Sequence, residues 1–328
     1  MAANGNETQV RDDSIRWVGL LRDLLRQCGD FTAVRLLDRA HKLFQDGRVY
    51  LAIAGKAKCG RSSLINALLG RRDDAVAPTS KLYSTNVVSG FGRDENESAT
   101  IIFENGGRAH CMFERIREFV TDEQNTHNVK EVSYVEVYGA FDGLDPDLVL
   151  VDTPGVGSSD AEAEGRTLDF IPHADAVLLL AATRMPLNRD DAILVKRIQE
   201  SNVRKLFVAI NKADQATERD LSEAVAHNRA ALKYAGVNAD VIRCISACRA
   251  LWGEFDAGLC ALQGDIAAFM KAQKKKIVAA RLVTQALCVV EQAGVELSAK
   301  YPSSDDPRTA KLKQFEAALR GLLAEMKA

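Results

Sequence analysis

The chain has 328 residues, 47% of them hydrophobic and 27% charged, with a formal net charge of −2. That length and apolar content supply a sizeable core, enough for one large domain with an appendage or for two domains. The near-neutral balance, with a pI of about 6.3, argues against nucleic acid as a partner. Seven scattered cysteines without a CxxC pair argue against a zinc site or a disulfide framework and for the reducing cytoplasm.

Residues 1–13 are polar, carry no apolar signal core and read as disordered. Ser14 is placed to cap a helix in which Ile15, Val18, Leu21, Leu25 and Cys28 recur at helical spacing. After Gly29-Asp30, a second helical pattern runs through Val34, Leu37, Ala40, Leu43 and Phe44 to Asp46-Gly47. The 14–47 segment therefore reads either as a decoration on a sheet or as half of a bundle completed by the other end of the chain.

From residue 48 to 270 the pattern alternates. Apolar runs at Val49 to Ala54, Leu148 to Asp152, Ala176 to Ala182, Leu206 to Ile210 and Val241 to Ile245 are short and are separated by helical patterns. Further strands are expected at Asn86 to Phe91, Thr100 to Phe103 and Val132 to Tyr138, with a helical stretch near Phe113 to Val120. Such alternation predicts an α/β fold with a mostly parallel sheet covered on both faces and its ligands at the carboxyl ends of the strands.

The first of these runs leads into Gly55-Lys56-Ala57-Lys58-Cys59-Gly60-Arg61-Ser62-Ser63, a Walker A spacing between strand and helix. Gly55 and Gly60 permit the tight turns that aim backbone N–H groups of the loop, including those at Lys58, Cys59 and Ser63, at phosphate oxygens. Ser62 is placed to offer a hydroxyl to Mg²⁺. Arg61 stands where Lys is expected, and the longer planar fork predicts weakened binding and slower turnover. Lys56 is a secondary candidate for that missing charge. Asp152-Thr153-Pro154-Gly155 ends another apolar strand, where a carboxylate can hold Mg²⁺ through water and the Gly155 N–H can sense a γ-phosphate. Asn211-Lys212-Ala213-Asp214 follows a third. Asp214 can accept both N1–H and N2–H of guanine, a pair that adenine lacks, while the Lys212 stem lies along the base. The plainer reading of Asp214 is a helix cap. Ser246-Ala247 fits the remaining base loop, where a backbone N–H meets guanine O6.

This ordered set resembles a GTPase of the translation-factor-related class, and within it the dynamin superfamily, especially bacterial dynamin-like proteins. The closer likeness lies in the double Ser leading into Leu64-Ile65-Asn66-Ala67-Leu68-Leu69-Gly70 and in the Ala77-Pro78-Thr79-Ser80-Lys81-Leu82-Tyr83-Ser84-Thr85-Asn86-Val87-Val88 segment. It lies also in Phe119-Val120-Thr121-Asp122-Glu123 and in the continuation of Asp152-Thr153-Pro154-Gly155 into Val156-Gly157-Ser158. The resemblance implies GTP or GDP as ligand with Mg²⁺ bound by Ser62, Asp152 and the switch Thr85, with Ser84 as its neighbour. It implies pairing of G domains across the nucleotide, as a homodimer or with a related partner. In dynamins a Gln and a Ser in the loop position water and a monovalent cation; here Ala57 and Lys58 stand there. Guanylate-binding relatives place an Arg finger at the Lys58 position, so the Lys58 ammonium is a candidate internal finger.

Beyond residue 270, the basic cluster Lys271, Lys274, Lys275 and Lys276 reads as a solvated face or as a contact with anionic lipid. An apolar pattern from Ile277 to Leu297, a turn over Tyr301 to Pro307 and a last helix through Leu312, Phe315, Leu319, Leu322, Leu323 and Met326 follow. These stripes over 271–328 need partners, and the N-terminal helices are the natural ones, giving a neck-like bundle. No stretch reads as long enough to span a membrane, so localisation is expected to be cytoplasmic with peripheral membrane contact. Two other classes stay open: a pseudo-GTPase scaffold, disabled by Arg61, and a ribosome-associated GTPase of another family.

Overall fold

A computed structural model describes residues 2–71, 76–78, 85–156, 161–188, 191–201, 203–300 and 307–327. It resolves into two compact units, Val49–Ala268 and a helical unit made of Met1–Arg48 with Phe269–Ala328. The first helix, α1 (Ala2–Gln27), begins at Ala2, not at Ser14. Disorder over 1–13 is thereby corrected: Val10 is buried, which gives this polar stretch an apolar anchor. Ser14 Oγ donates to the Val10 carbonyl at 2.7 Å, so Ser14 is a back-bonded interior residue and no cap. Helix α2 (Phe31–Asp46) does have a cap, since Asp30 Oδ1 accepts from the Ala33 N–H at 2.9 Å.

The second unit contains, in chain order, β1 (Val49–Gly55), α3 (Arg61–Leu69), β2 (Ser89–Arg93), β3 (Ser98–Phe103), β4 (Arg108–Cys111), α4 (Arg117–Val120), β5 (Val132–Gly139), β6 (Leu148–Asp152), α5 (Ala161–Phe170), β7 (Ala176–Ala182), α6 (Asp191–Glu200), β8 (Lys205–Asn211), α7 (Glu218–Tyr234), β9 (Arg243–Cys244) and α8 (Ala247–Leu251). One nine-stranded sheet runs β4-β3-β5-β2-β6-β1-β7-β8-β9. Strands β6, β1, β7, β8 and β9 are mutually parallel. Every residue of β6 and β7 is buried, which is why their sequences are continuous apolar runs without alternation.

The other flank departs from the expected pattern. Strand β2 is antiparallel to β6, with Ser89 opposite Asp152. The chain entering β2 is therefore delivered to the carboxyl end of β6. The strand starts at Ser89 rather than Asn86 because Asn86 is held elsewhere: its N–H donates to the Val120 carbonyl at 2.9 Å and its Nδ2 to the Asn125 carbonyl at 2.5 Å. Edge strand β4, Arg-Ala-His-Cys, was not expected, since its alternation of exposed Arg and His with half-buried Ala and Cys spans only four residues. The helical stretch over 113–120 is a 3₁₀ turn at Phe113–Arg115 followed by α4. The Val241 to Ile245 run contributes only the two residues of β9.

Helix α9 (Ala257–Lys300) is continuous for 44 residues and runs straight through the lysine cluster at the boundary drawn at residue 270. The lysine-rich join contains Lys, Ala and Gln, all good helix formers, and no breaker. Joined, the helix is long and apolar enough to cross a membrane by length and composition, which corrects the expectation that no stretch is; 61% of its apolar window is buried within the fold. Pro307 opens α10 (Pro307–Lys327), the helix position that tolerates proline best. The expected turn before it falls outside the described residues as far as residue 306. Within the helical unit Leu21, Leu25, Leu37, Val283, Ala286 and Leu319 are fully buried. Trp17 meets Phe315 edge-on at 5.6 Å between centroids. Arg22 pairs with Asp38 at 3.3 Å and Arg320 with Glu291 at 2.9 Å. Helices from both ends of the chain thus share one core.

Candidate nucleotide site

Gly55 ends β1, and the chain turns through residues 56–60 into α3, so the loop faces the carboxyl edge of the parallel strands. Gly60 precedes α3 at φ 97°, and a Cβ there would lie 2.4 Å from Asn211 Nδ2. Only glycine satisfies both constraints. Lys58 sits at φ 65° and is exposed, whereas Cys59 is fully buried and its thiol pKa is raised by that burial. Ser62 and Ser63, in the first turn of α3, are half-buried. Gly155 closes the loop from the β6 side: a Cβ on it would meet Ala57 Cα at 2.8 Å, and the Val156 N–H donates to the Gly55 carbonyl at 3.1 Å.

Arg61 folds into this loop with 6% of its surface exposed. Its Nη1 donates to the carbonyls of Gly55 at 2.6 Å and Lys56 at 2.7 Å. Its Nε lies 3.7 Å from Asp152 Oδ1, an ion pair too long for a hydrogen bond, and both atoms are buried without a hydrogen-bond partner among the described residues. Ser62 Oγ donates to Asp152 Oδ2 at 2.7 Å. Burial raises the Asp152 pKa above the usual carboxylate value, opposed by the Arg61 charge, by the Ser62 hydrogen bond and by the nearby polar groups of Arg61 and Thr85. Thr85 is buried and bridges Thr121. Ser62, Thr85 and Asp152 therefore converge as three hard oxygen donors, and the orphaned Asp152 Oδ1 is the kind of atom a Mg²⁺ ion or its water shell would satisfy. Ser84 lies outside the described residues, as do Thr79 to Tyr83 and Gly157-Ser158.

Asn211 ties the loop after β1 to the segment that opens α8. Its Nδ2 donates to the Cys59 carbonyl at 3.0 Å and its Oδ1 accepts from the Ala247 N–H at 3.1 Å. The N–H expected to meet guanine O6 is thus already bonded, so a base carbonyl there must share or displace Asn211. Ser246 Oγ donates to Asp214 Oδ1 at 2.6 Å and caps α8 by accepting from the Arg249 N–H at 3.2 Å. Lys212, at φ 65°, reaches back so that its Nζ donates to the Lys58 carbonyl at 2.8 Å. Asp214 does not cap α7; Thr217 and Asp220 form that capping box. With that role taken, the half-buried Asp214 carboxylate is available to a ligand edge.

Lys56 is not a stand-in for the missing Lys. Its Nζ pairs with the buried Asp191 at 3.2 Å and donates to the Pro186 carbonyl at 3.1 Å. Three supporting residues escaped the sequence reading. Thr183 Oγ1 donates to the Asn211 carbonyl at 3.0 Å and to the Lys212 carbonyl at 3.2 Å. Asp256 accepts from the Ser246 N–H at 3.0 Å while capping α9 through the Leu259 N–H at 2.7 Å. Arg166 on α5 donates from Nε to the Asn86 carbonyl at 2.6 Å, fixing the chain beyond Thr85. Asp256 had a signal, an Asp just ahead of a helical pattern; the other two have none in local sequence.

The model of the dynamin family matches residues 51–213. An uncharacterised protein from the xynA 3′ region of Caldicellulosiruptor sp. (strain Rt8B.4) is 28% identical over 228 residues, 69% of this chain and 56% of the relative. Dynamin-like protein 1 of Campylobacter jejuni (strain 81-176) is 22% identical over 240 residues, 62% of this chain and 33% of the relative. Among solved structures, a chain of an oligomerised bacterial dynamin pair, described as providing a mechanism for long-range sensing and tethering of membranes, superposes with a TM-score of 0.57 at 17% identity. That match covers 89% of this chain and 57% of the other. At such identity it speaks to the fold. The chain spans about half or less of the length of these relatives.

Proposed function

The chain belongs to the dynamin superfamily, and from that premise we propose that it binds GTP and GDP and hydrolyses GTP, coupling the nucleotide state to its helical unit in membrane remodelling. The observation that supports this reading is the Asn211 bridge from the Cys59 carbonyl to the Ala247 N–H, beside the Ser246–Asp214 hydrogen bond, because it keeps a carboxylate able to pair with guanine close to the loop after β1. The Gly55, Lys58, Cys59, Gly60, Ser62 and Ser63 backbone cradles phosphate, Lys212 flanks the base, and Gly155 meets the γ-phosphate end.

In this reading Ser62, Asp152 and Thr85 would hold Mg²⁺, which supplies neutralisation of phosphate charge. Arg61 presents a guanidinium to the β- and γ-phosphates. Thr85 positions the attacking water. Lys58, exposed at the lip of the loop, lends its ammonium to charge developing on the bridging oxygen. G domains pair across the nucleotide, with a second copy or a related chain, and membrane contact is peripheral. A second reading is favoured by Arg61 itself. Its two short bonds to loop carbonyls must lengthen or break for it to follow a transferring phosphoryl group, which suits a nucleotide-binding partner with little turnover.

Fluorescent GDP and ADP analogues test the base assignment. GDP is expected to bind and ADP to be weaker by at least about 100-fold, since adenine leaves Asp214 facing no donor pair. Asp214→Asn replaces an acceptor by an amide that can donate to the 2-oxo group of xanthine, so preference moves from GDP to XDP. Equal binding of GDP and ADP sinks the reading. Phosphate release with Arg61→Lys alongside the natural chain separates an enzyme from a silent partner.

A further inference from the structure

We propose that Arg61 is a resident cation of the nucleotide site, so that guanine nucleotide binds with little dependence on a divalent ion. The inference rests on the guanine-nucleotide reading above. A lysine in this position delivers one compact charge to one place, whereas the arginine fork serves two directions at once. Here Nη1 takes the Gly55 and Lys56 carbonyls while Nε faces Asp152 Oδ1 at 3.7 Å. The guanidinium side chain is 6% exposed and the carboxylate 2%. The group that would draw a divalent ion into the site is therefore already matched by a full positive charge in a place nearly free of solvent screening. A second cation entering there is repelled by Arg61 over much the same distance at which Asp152 attracts it.

The remaining oxygen donors, the hydroxyls of Ser62 and Thr85, are neutral, and Ser62 Oγ is itself spent on Asp152 Oδ2. The pair Arg61–Asp152 thus presents no net charge to an incoming ion. To the phosphates, by contrast, the same guanidinium offers a cation that chelation cannot remove. Nε has no hydrogen-bond partner among the described residues, so a phosphate oxygen meeting it satisfies a buried donor without a metal in between. The ion can still occupy the site; its occupancy adds little to affinity.

Anisotropy titrations of the full chain with mant-GDP, in millimolar Mg²⁺ and in excess EDTA, test this directly. The two dissociation constants are expected within about threefold of one another, and Arg61→Lys, which vacates the Asp152 side, is expected to bind about tenfold or more tightly with Mg²⁺ than without. Mn²⁺ titrated into the protein–GDP complex and followed by electron paramagnetic resonance is expected to bind no more tightly than to free GDP. This arm decides the matter if Arg61→Lys fails to fold. A natural chain that needs Mg²⁺ by tenfold or more, a lysine variant that stays indifferent to it, or tight Mn²⁺ capture overturns the proposal. Absence of binding in both buffers overturns the guanine-nucleotide reading itself, and this inference with it.

Discussion

Asn211→Ala is the sharpest test of how the two halves of the site are held together. The side chain is 3% exposed and makes two hydrogen bonds to backbone, 3.0 Å to the Cys59 carbonyl and 3.1 Å to the Ala247 N–H. Truncation leaves that carbonyl and that N–H buried without partners. Each orphaned group costs roughly 1–3 kcal/mol, so the variant loses about 3 kcal/mol if the loops relax only in part. The Gly60 turn also loses the neighbour it packs against, since Asn211 Nδ2 occupies the space where a Cβ at Gly60 would go. Urea unfolding, read by circular dichroism with the denaturant slope compared between variants, measures the loss. Amide exchange supplies a local check: exchange of the Ala247 N–H accelerates by more than that of the β7 amides, which report only the global loss. Nucleotide affinity falls in parallel, because the base loop is no longer tied to the phosphate loop. A stability change below about 0.5 kcal/mol, or an Ala247 amide that stays protected, refutes the assignment of Asn211 as the tie between the two loops.

Three other outcomes follow from the same geometry. Lys56→Met strips the buried Asp191 of its cationic partner and is expected to destabilise the protein by roughly 3 kcal/mol in chemical denaturation, although Asp191 keeps a bond from the Asn188 N–H at 2.7 Å; no change would place the pair in solvent. Gly155→Ala drives a methyl to within 2.8 Å of Ala57 Cα, so the Gly155 turn shifts from the phosphate loop and GDP affinity falls about tenfold or more, as calorimetry would show; unchanged affinity would mean the loops yield freely. The Asp220 pKa is lowered, first by the Thr217 backbone N–H. Its folded value lies below its unfolded one, so its contribution is present above the ordinary 3.8 and is lost as pH falls through the lowered value. Asp220→Asn should therefore weaken α7 at pH 7 and match the natural chain at strongly acid pH in parallel unfolding curves; a difference that persists in acid would assign the effect to packing.

How much was legible beforehand differs by element. Strands β6 and β7 were readable to the residue, because burial on both faces demands an uninterrupted apolar run and leaves no ambiguity of period. The loop after β1 and the carboxyl ends of β6 and β8 were readable because these strands are short, largely buried apolar runs. Edge strand β4 was not, since a polar–apolar alternation over four residues, none of them fully buried, is too short a signal. Nor was the join within α9: a lysine cluster looks like an end when charge alone is read, yet its residues favour helix and nothing stops it.

The sequence by itself determined the order of motifs, the α/β class and the anomaly at Arg61, because these depend on residue identity at short spacing. Only the tertiary structure decided what the charges do. It turned Lys56 away to Asp191, aimed Arg61 at both the loop carbonyls and Asp152, and engaged the Ala247 N–H with Asn211. The physical reason is that a buried charge or amide takes its meaning from whichever partners the sheet brings within a few ångströms. Those partners lie 91 to 152 positions apart in the case of Arg61 with Asp152 and Cys59 with Asn211.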